Sequence, residues 1–133
     1  MGFFAVIGAA IIGEPWDPPP HLVNDFPDLA FALYRRGGLP VRIGGWALGQ
    51  RSADAITLWH TVFLAPGTHV TAELLLHELQ HVYQFQAIRA FPILYLWESL
   101  RRGYSHNRFE VDARAFAEAR LSTLPSGLRR GDT

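Results

Sequence analysis

His77-Glu78-Leu79-Gln80-His81 stands inside an apolar run from Thr71 to about Ala90, and it limits what the rest of the chain can become. On a helix, side chains four positions apart lie on one face about 40° from each other, so the two imidazoles can reach a single point. With His77 as the origin of a helical wheel, Leu75, Val82 and Gln86 point to the far side and Leu76 and Tyr83 to a flank. Apolar residues thus cover most of the circumference, and the helix is expected to be buried. Two histidines and a glutamate on such a helix must be paired or metal-bound, because an unpaired polar group in the interior costs a few kcal/mol.

HExxH on a helix is the pattern of zinc-dependent peptidases, in which the histidines hold the metal and the glutamate acts on a metal-bound water. Only three residues are fixed, so the motif also fits an amphipathic helix with two surface histidines. Composition narrows the options. No cysteine is present, which excludes disulfides and thiolate metal sites and leaves histidine and carboxylate as ligands. At 133 residues the chain reads as one domain able to bury about two thirds of its unfolded surface. The formal charge is zero and all twelve basic residues besides histidine are arginine; pairs such as Arg35-Arg36 and Arg101-Arg102 suit helix ends. Without a basic balance there is no case for nucleic-acid binding.

Gly2 to Gly13 is almost wholly apolar. As a helix of that length it would cover only about 18 Å of a roughly 30 Å hydrocarbon core. No basic residue precedes it, so a segment of the fold is preferred to a signal peptide or membrane association. That preference favours a cytoplasmic chain over a membrane-associated or exported one. Glu14 to Pro20, with Pro15, Pro18, Pro19 and Pro20, is expected to be an extended linker. Residues 1–20 thus form an apolar segment and linker, 21–122 the core and 123–133 a loose tail.

Within the core, Phe26, Leu29, Ala30, Leu33 and Tyr34 have the spacing of an amphipathic helix from about Asn24 to Arg36. Leu39 to Leu48 and Ala55 to Leu64 are β-prone runs and are expected to pair as an antiparallel hairpin around Gly49 to Asp54. Thr71 can cap the HExxH helix. Phe91-Pro92 breaks it, a short helix follows from Ile93 to Arg101, and a last one runs from about Asn107 to Leu121. The fold expected is α+β, a mostly helical single domain with a small antiparallel hairpin beside the HExxH helix.

A catalytic zinc takes three protein ligands and keeps one position open. The carboxylates after His81 are Glu98, Glu110, Asp112, Glu118 and Asp132. On the last helix Glu110 lies at the edge of the arc carrying Phe109, Ala113, Phe116 and Ala117, while Asp112 is about 160° away and faces out. Small residues at 113 and 117 would let this helix approach the HExxH helix closely. Yet Asn107 to Glu110 also resembles a capping box, with the carboxylate turned back to the backbone, and geometry alone leaves the two readings even. Glu98 is a weaker candidate on a helix expected to be exposed.

Ala55-Ile56-Thr57-Leu58 through Ala65-Pro66-Gly67, then Leu75-Leu76-His77-Glu78-Leu79-Gln80-His81-Val82-Tyr83-Gln84, resembles the small bacterial metallopeptidase domains of the gluzincin type. Asn107-Arg108-Phe109-Glu110-Val111-Asp112-Ala113-Arg114 resembles their second block, and the likeness covers roughly residues 53 to 120. It implies that His77 and His81 are zinc ligands, Glu110 the third ligand and Glu78 the general base. It further implies a small antiparallel sheet beside the active-site helix. Larger gluzincins often carry an aspartate four residues after the ligand glutamate, where this chain has Arg114, so the partner that orients the histidines is not identified.

The function expected is a zinc-dependent peptidase acting on a peptide or protein, with Glu78 passing a proton from a zinc-bound water to the leaving amine. Tyr104 and His106 are the candidates for stabilising the tetrahedral intermediate, each also readable as a packing tyrosine or a surface histidine. His60 and His69 are expected at the surface. If the strand before the helix is a sheet edge, a peptide could add to it across the zinc. The rival is a catalytically silent, zinc-stabilised binding or scaffold domain.

Overall fold

The computed structural model describes residues 8, 11–41, 43 and 54–124. Its elements follow the order β1 (Glu14–Pro15), α1 (Pro20–Asp25), a 3-10 turn (Pro27–Phe31), β2 (Leu33–Arg36), β3 (Ala55–Leu58), β4 (Thr61–Leu64), α2 (Ala72–Ala87), α3 (Phe91–Arg102), a 3-10 turn (Tyr104–His106) and α4 (Arg108–Leu121). The domain is α+β and mostly helical, with a small sheet beside the HExxH helix α2. Most of the apolar N-terminal stretch, residues 44–53 of the first expected strand and turn, and the tail from 125 lie outside the described residues. Among the described residues no helix is long and apolar enough to cross a membrane.

Two local expectations are corrected. The helix expected from Asn24 to Arg36 is split into α1, the 3-10 turn and β2. Pro27 disfavours helical backbone at Phe26, which sits at φ −133°, ψ 81°. Beyond the 3-10 turn the periodicity drops to two, with Leu33 exposed and Tyr34 buried. The hairpin differs too. Residues 39–41 are helical, and the run from Ala55 to Leu64 is not one strand but two, folded at Trp59-His60 so that Leu58 faces Thr61. The sheet is four-stranded and mixed, in the order β1-β2-β4-β3, with β2 parallel to β4.

The core lies between this sheet and α2. Leu75, Leu76, Leu79 and Val82 of α2 are fully buried against Phe26, Leu29, Val62 and Leu64. On the other side α2 packs along α4, where Ala113 and Ala117 are fully buried. Their short side chains bring the two helices close enough for Glu110 to reach across.

Asp28 ties this arrangement together, accepting from the Tyr83 hydroxyl of α2 at 2.9 Å and from both guanidinium nitrogens of Arg120 of α4 at 2.7 and 2.8 Å. The fork geometry makes this pair stronger than a single surface contact, although partial exposure screens it. Asp28→Ala is expected to lower unfolding free energy in urea by about 1–2 kcal/mol. Arg120, against the opposing effect of burial and with help from Tyr83, holds the Asp28 carboxyl below its ordinary 3.8. A depressed folded pKa gives stability above the unfolded value that is lost as the group protonates, so the gap to wild type should narrow as pH falls below 3.8.

α3 is turned inside out relative to an ordinary amphipathic helix. Ile93, Leu96, Trp97 and Leu100 are exposed, whereas Glu98 is only 5% exposed. Glu98, expected on an exposed helix, lies instead on the inward face together with Phe91. Arg102 lies 3.5 Å and Arg108 3.9 Å from its carboxylate, and the buried Oε2 makes no hydrogen bond among the described residues.

Candidate metal centre

α2 begins where Thr71 accepts a hydrogen bond from the Leu74 amide at 3.1 Å, and Glu73 adds a favourable charge to the first turn. The burial of Leu75, Leu76, Leu79 and Val82 fixes the rotation of the helix. His77, Glu78 and His81 are thereby directed along its flank, with His81 and Glu78 buried and His77 half-buried. The imidazole centroids are 5.0 Å apart. Ligand atoms of His77, Glu78 and His81 all lie within 4.8 Å of one another, close enough to hold one metal ion.

α4 brings the second carboxylate. Asn107, fully buried, caps this helix by accepting from the Phe109 amide at 2.9 Å, while its own amide donates to the Tyr95 carbonyl and the Ser99 hydroxyl. Capping is thus done by Asn107, and no hydrogen bond turns Glu110 back to the backbone as in a capping box. Glu110 is only 3% exposed. Its Oε2 lies 2.8 Å from His77 Nε2 and its Oε1 lies 3.1 Å from His81 Nε2. The Tyr95 hydroxyl donates to Oε1 at 2.6 Å.

The partner that orients His81 is Gln84. Its Nε2 donates to the Phe109 carbonyl at 3.1 Å, which leaves its Oε1 to accept from His81 Nδ1 at 2.7 Å. The proton on Nδ1 is therefore assigned by the amide orientation. In neutral His81 the bare lone pair of Nε2 would then face a carboxylate oxygen at 3.1 Å. Two acceptors at that distance repel unless a cation lies between them, either a second ring proton or a metal ion.

Without a metal, the proton takes that place. Burial opposes charging His81, but the Glu110 hydrogen bond and the Glu78 and Glu110 charges outweigh it and raise the imidazole pKa to about 9. Burial also opposes ionising Glu110, yet His77 and His81 together hold its carboxyl well below the usual carboxylate range. The donor set, two imidazole Nε2 atoms converging on one buried carboxylate, fits a divalent metal that binds nitrogen and oxygen. Loss of an orienting partner such as Gln84 typically weakens metal binding about 10- to 100-fold. Gln84→Leu is expected to do so here, measured by competition with a chromophoric chelator.

Two openings flank these residues. One is a largely apolar cleft of about 250 Å³, bordered by β3, Phe85, Phe91, Leu96 and Tyr104. The other is a more polar groove bordered by Asp54, Glu73, His77 and Arg114. Glu78 and Tyr104 border both. The Thr57 hydroxyl of β3 donates to Glu78 Oε2 at 2.7 Å.

Of the candidates read from the sequence, His77, Glu78, His81, Glu110 and Tyr104 are brought together. His106 is exposed and borders neither opening. His60 and His69 are exposed, as expected. Burial first, then the Glu110 and Glu78 charges, pushes the Tyr104 hydroxyl pKa well up, so it stays a proton donor. Thr57, Gln84 and Tyr95 also reach the site, through Glu78, His81 and Glu110. Gln84 alone carried a usable signal, standing three positions after His81 on the same helix.

The family model of the eCIS core domain matches residues 46–89, about a third of the chain, and among the described residues this spans β3, β4 and all of α2. Over that stretch the chain is similar to the eCIS core domain. Neither the curated proteins nor the solved structures give a match.

Proposed function

We propose that the protein is a zinc-dependent peptidase, with His77, His81 and Glu110 as metal ligands and Glu78 as general base. The observation that carries this reading is the Glu110 carboxylate lying within 3.1 Å of both histidine Nε2 atoms. Two imidazoles and one carboxylate are a donor set of catalytic zinc sites. The likeness of the HExxH and Asn107 to Arg114 blocks to gluzincin peptidase domains supports it further. Zinc held there would supply Lewis acidity and an acidified water at neutral pH.

Glu78 has one carboxylate oxygen engaged by Thr57, which orients the group and leaves the other to take a proton from water and return it to the leaving amine. Tyr104, kept protonated, is the donor for the developing oxyanion. Tyr95 holds Glu110 in place. Among the described residues β3 ends the sheet, so an extended peptide can add to it beside Glu78.

The purified protein is expected to carry about one zinc per chain by elemental analysis and to cleave unstructured peptides. Chelation should stop cleavage and lower the melting temperature, and added zinc should restore both. A protein that binds zinc and is stabilised by it, yet cleaves no peptide in a diverse mixture, would be a scaffold domain and not an enzyme.

A further inference from the structure

The surroundings of Glu78 differ on its two sides, and β3 gives that difference a direction. Among the described residues β3 pairs only with β4 and is the last strand of the sheet. The two-residue turn at Trp59-His60 makes Leu58 and Thr61 a hydrogen-bonded pair, and the Ala65 amide donates to the Asp54 carbonyl at 2.8 Å. Because bonded and non-bonded pairs alternate in an antiparallel ladder, the amides and carbonyls of Ala55 and Thr57 point to the open edge. Asp54 borders the polar groove alone, Ala55 borders both openings, and Ile56, Thr57 and Leu58 border only the apolar cleft, which also takes in His81 and Glu110. β3 therefore runs from the groove, past Glu78, to the cleft.

We propose that the apolar cleft receives a large apolar side chain from the residue on the N-terminal side of the scissile bond, in a substrate bound antiparallel to β3. This rests on the peptidase reading. Antiparallel pairing is the more stable per residue, and a strand antiparallel to β3 runs from cleft to groove. Residues before the bond thus fall in the cleft and residues after it in the groove.

The cleft suits such a side chain. Its volume of about 250 Å³ has room for leucine or phenylalanine, and Leu58, Phe85, Phe91, Pro92 and Leu96 form its walls. Phe85 and Phe91 meet edge to face at 4.6 Å. Trp59 extends the wall outward, its ring 5.7 Å from Phe85. It is 64% exposed, and its left-handed φ of 55° is the one the first position of a two-residue hairpin turn requires. The groove carries Asp54, Glu73 and Arg114, charges of both signs that favour no single side chain.

The test uses the zinc-loaded full chain and a set of peptides identical except for one Phe, Leu, Ala or Asp, with products identified by mass spectrometry. Cleavage is expected on the C-terminal side of Phe or Leu, with kcat/KM at least about tenfold above the Ala and Asp peptides. Leu96→Asp, at an exposed position, should erase about tenfold of that preference while zinc content and melting temperature stay unchanged. Cleavage before Phe, or equal cleavage of all four peptides, overturns the proposal and leaves the peptidase reading intact. If nothing is cleaved, labelled peptides that end or begin with Phe are titrated against zinc-loaded Glu78→Gln protein. Tighter binding of the Phe-ended peptide, lost in the added Leu96→Asp, then upholds the pocket while the peptidase reading falls; equal binding overturns both.

Discussion

Glu78→Gln should lower peptide hydrolysis by about 100- to 10,000-fold, the usual contribution of a general base, while zinc affinity stays close to wild type. The substitution is nearly isosteric. The amide oxygen of glutamine can still accept from the Thr57 hydroxyl that now donates to Glu78 Oε2 at 2.7 Å, so the side chain should keep its orientation and lose only its basicity. Kinetics and chelator competition on the same preparation give the answer. The pairing of the two measurements matters because Glu78 also lies within 4.8 Å of both histidine ligand atoms. If Glu78 were itself the third ligand, the variant would lose metal together with activity. Retained zinc with lost hydrolysis separates the base from the ligands, and retained hydrolysis would end the proposed role of Glu78.

The site was legible in the sequence wherever helical periodicity fixed it. His77 and His81 share a face because they are four apart, and Glu110 is turned inward because Phe109, Ala113 and Ala117 are buried around it. The boundaries of α2 and α4 follow from Thr71 and Asn107, whose side chains cap them. What could not be read depended on tertiary partners. Phe26 to Tyr34 has helical spacing, but Pro27 interrupts it and β1 and β4 claim Leu33–Arg36 as a strand between them. Glu98 was misplaced because the apolar stripe of α3 faces outward, against the usual sense of amphipathicity. Thr57 and Tyr95 reach the site from β3 and α3, and no spacing rule links either to the HExxH motif. The Gln84 amide could be paired with His81 only once the Phe109 carbonyl was known to fix its orientation.

Glu110→Ala should reduce zinc affinity by more than the roughly 10- to 100-fold that follows loss of an orienting partner outside the coordination sphere. Removing it leaves His77 and His81 with no carboxylate against their Nε2 atoms, so a zinc ion would keep two imidazoles and at best recruit Glu78. A variant that binds zinc as tightly as wild type would take Glu110 out of the ligand set. A second readout is independent of metal. In the chelated wild-type protein, burial opposes charging His81, but the Glu110 hydrogen bond and the Glu78 and Glu110 charges outweigh it and raise the imidazole from 6.5 to about 9. A folded pKa above the unfolded one contributes stability that is fully present below the unfolded value and is lost as pH rises through the folded one. The chelated wild type should therefore lose melting temperature between pH 6.5 and about pH 9, and Glu110→Ala should show much less of that slope, because the Glu110 hydrogen bond and charge are among the interactions that raise His81. Zinc should flatten the same slope in the wild type by occupying the position the proton fills. Equal slopes in chelated wild type and variant would mean that the carboxylate and the imidazoles do not share a cation, and the metal site would lose its physical basis.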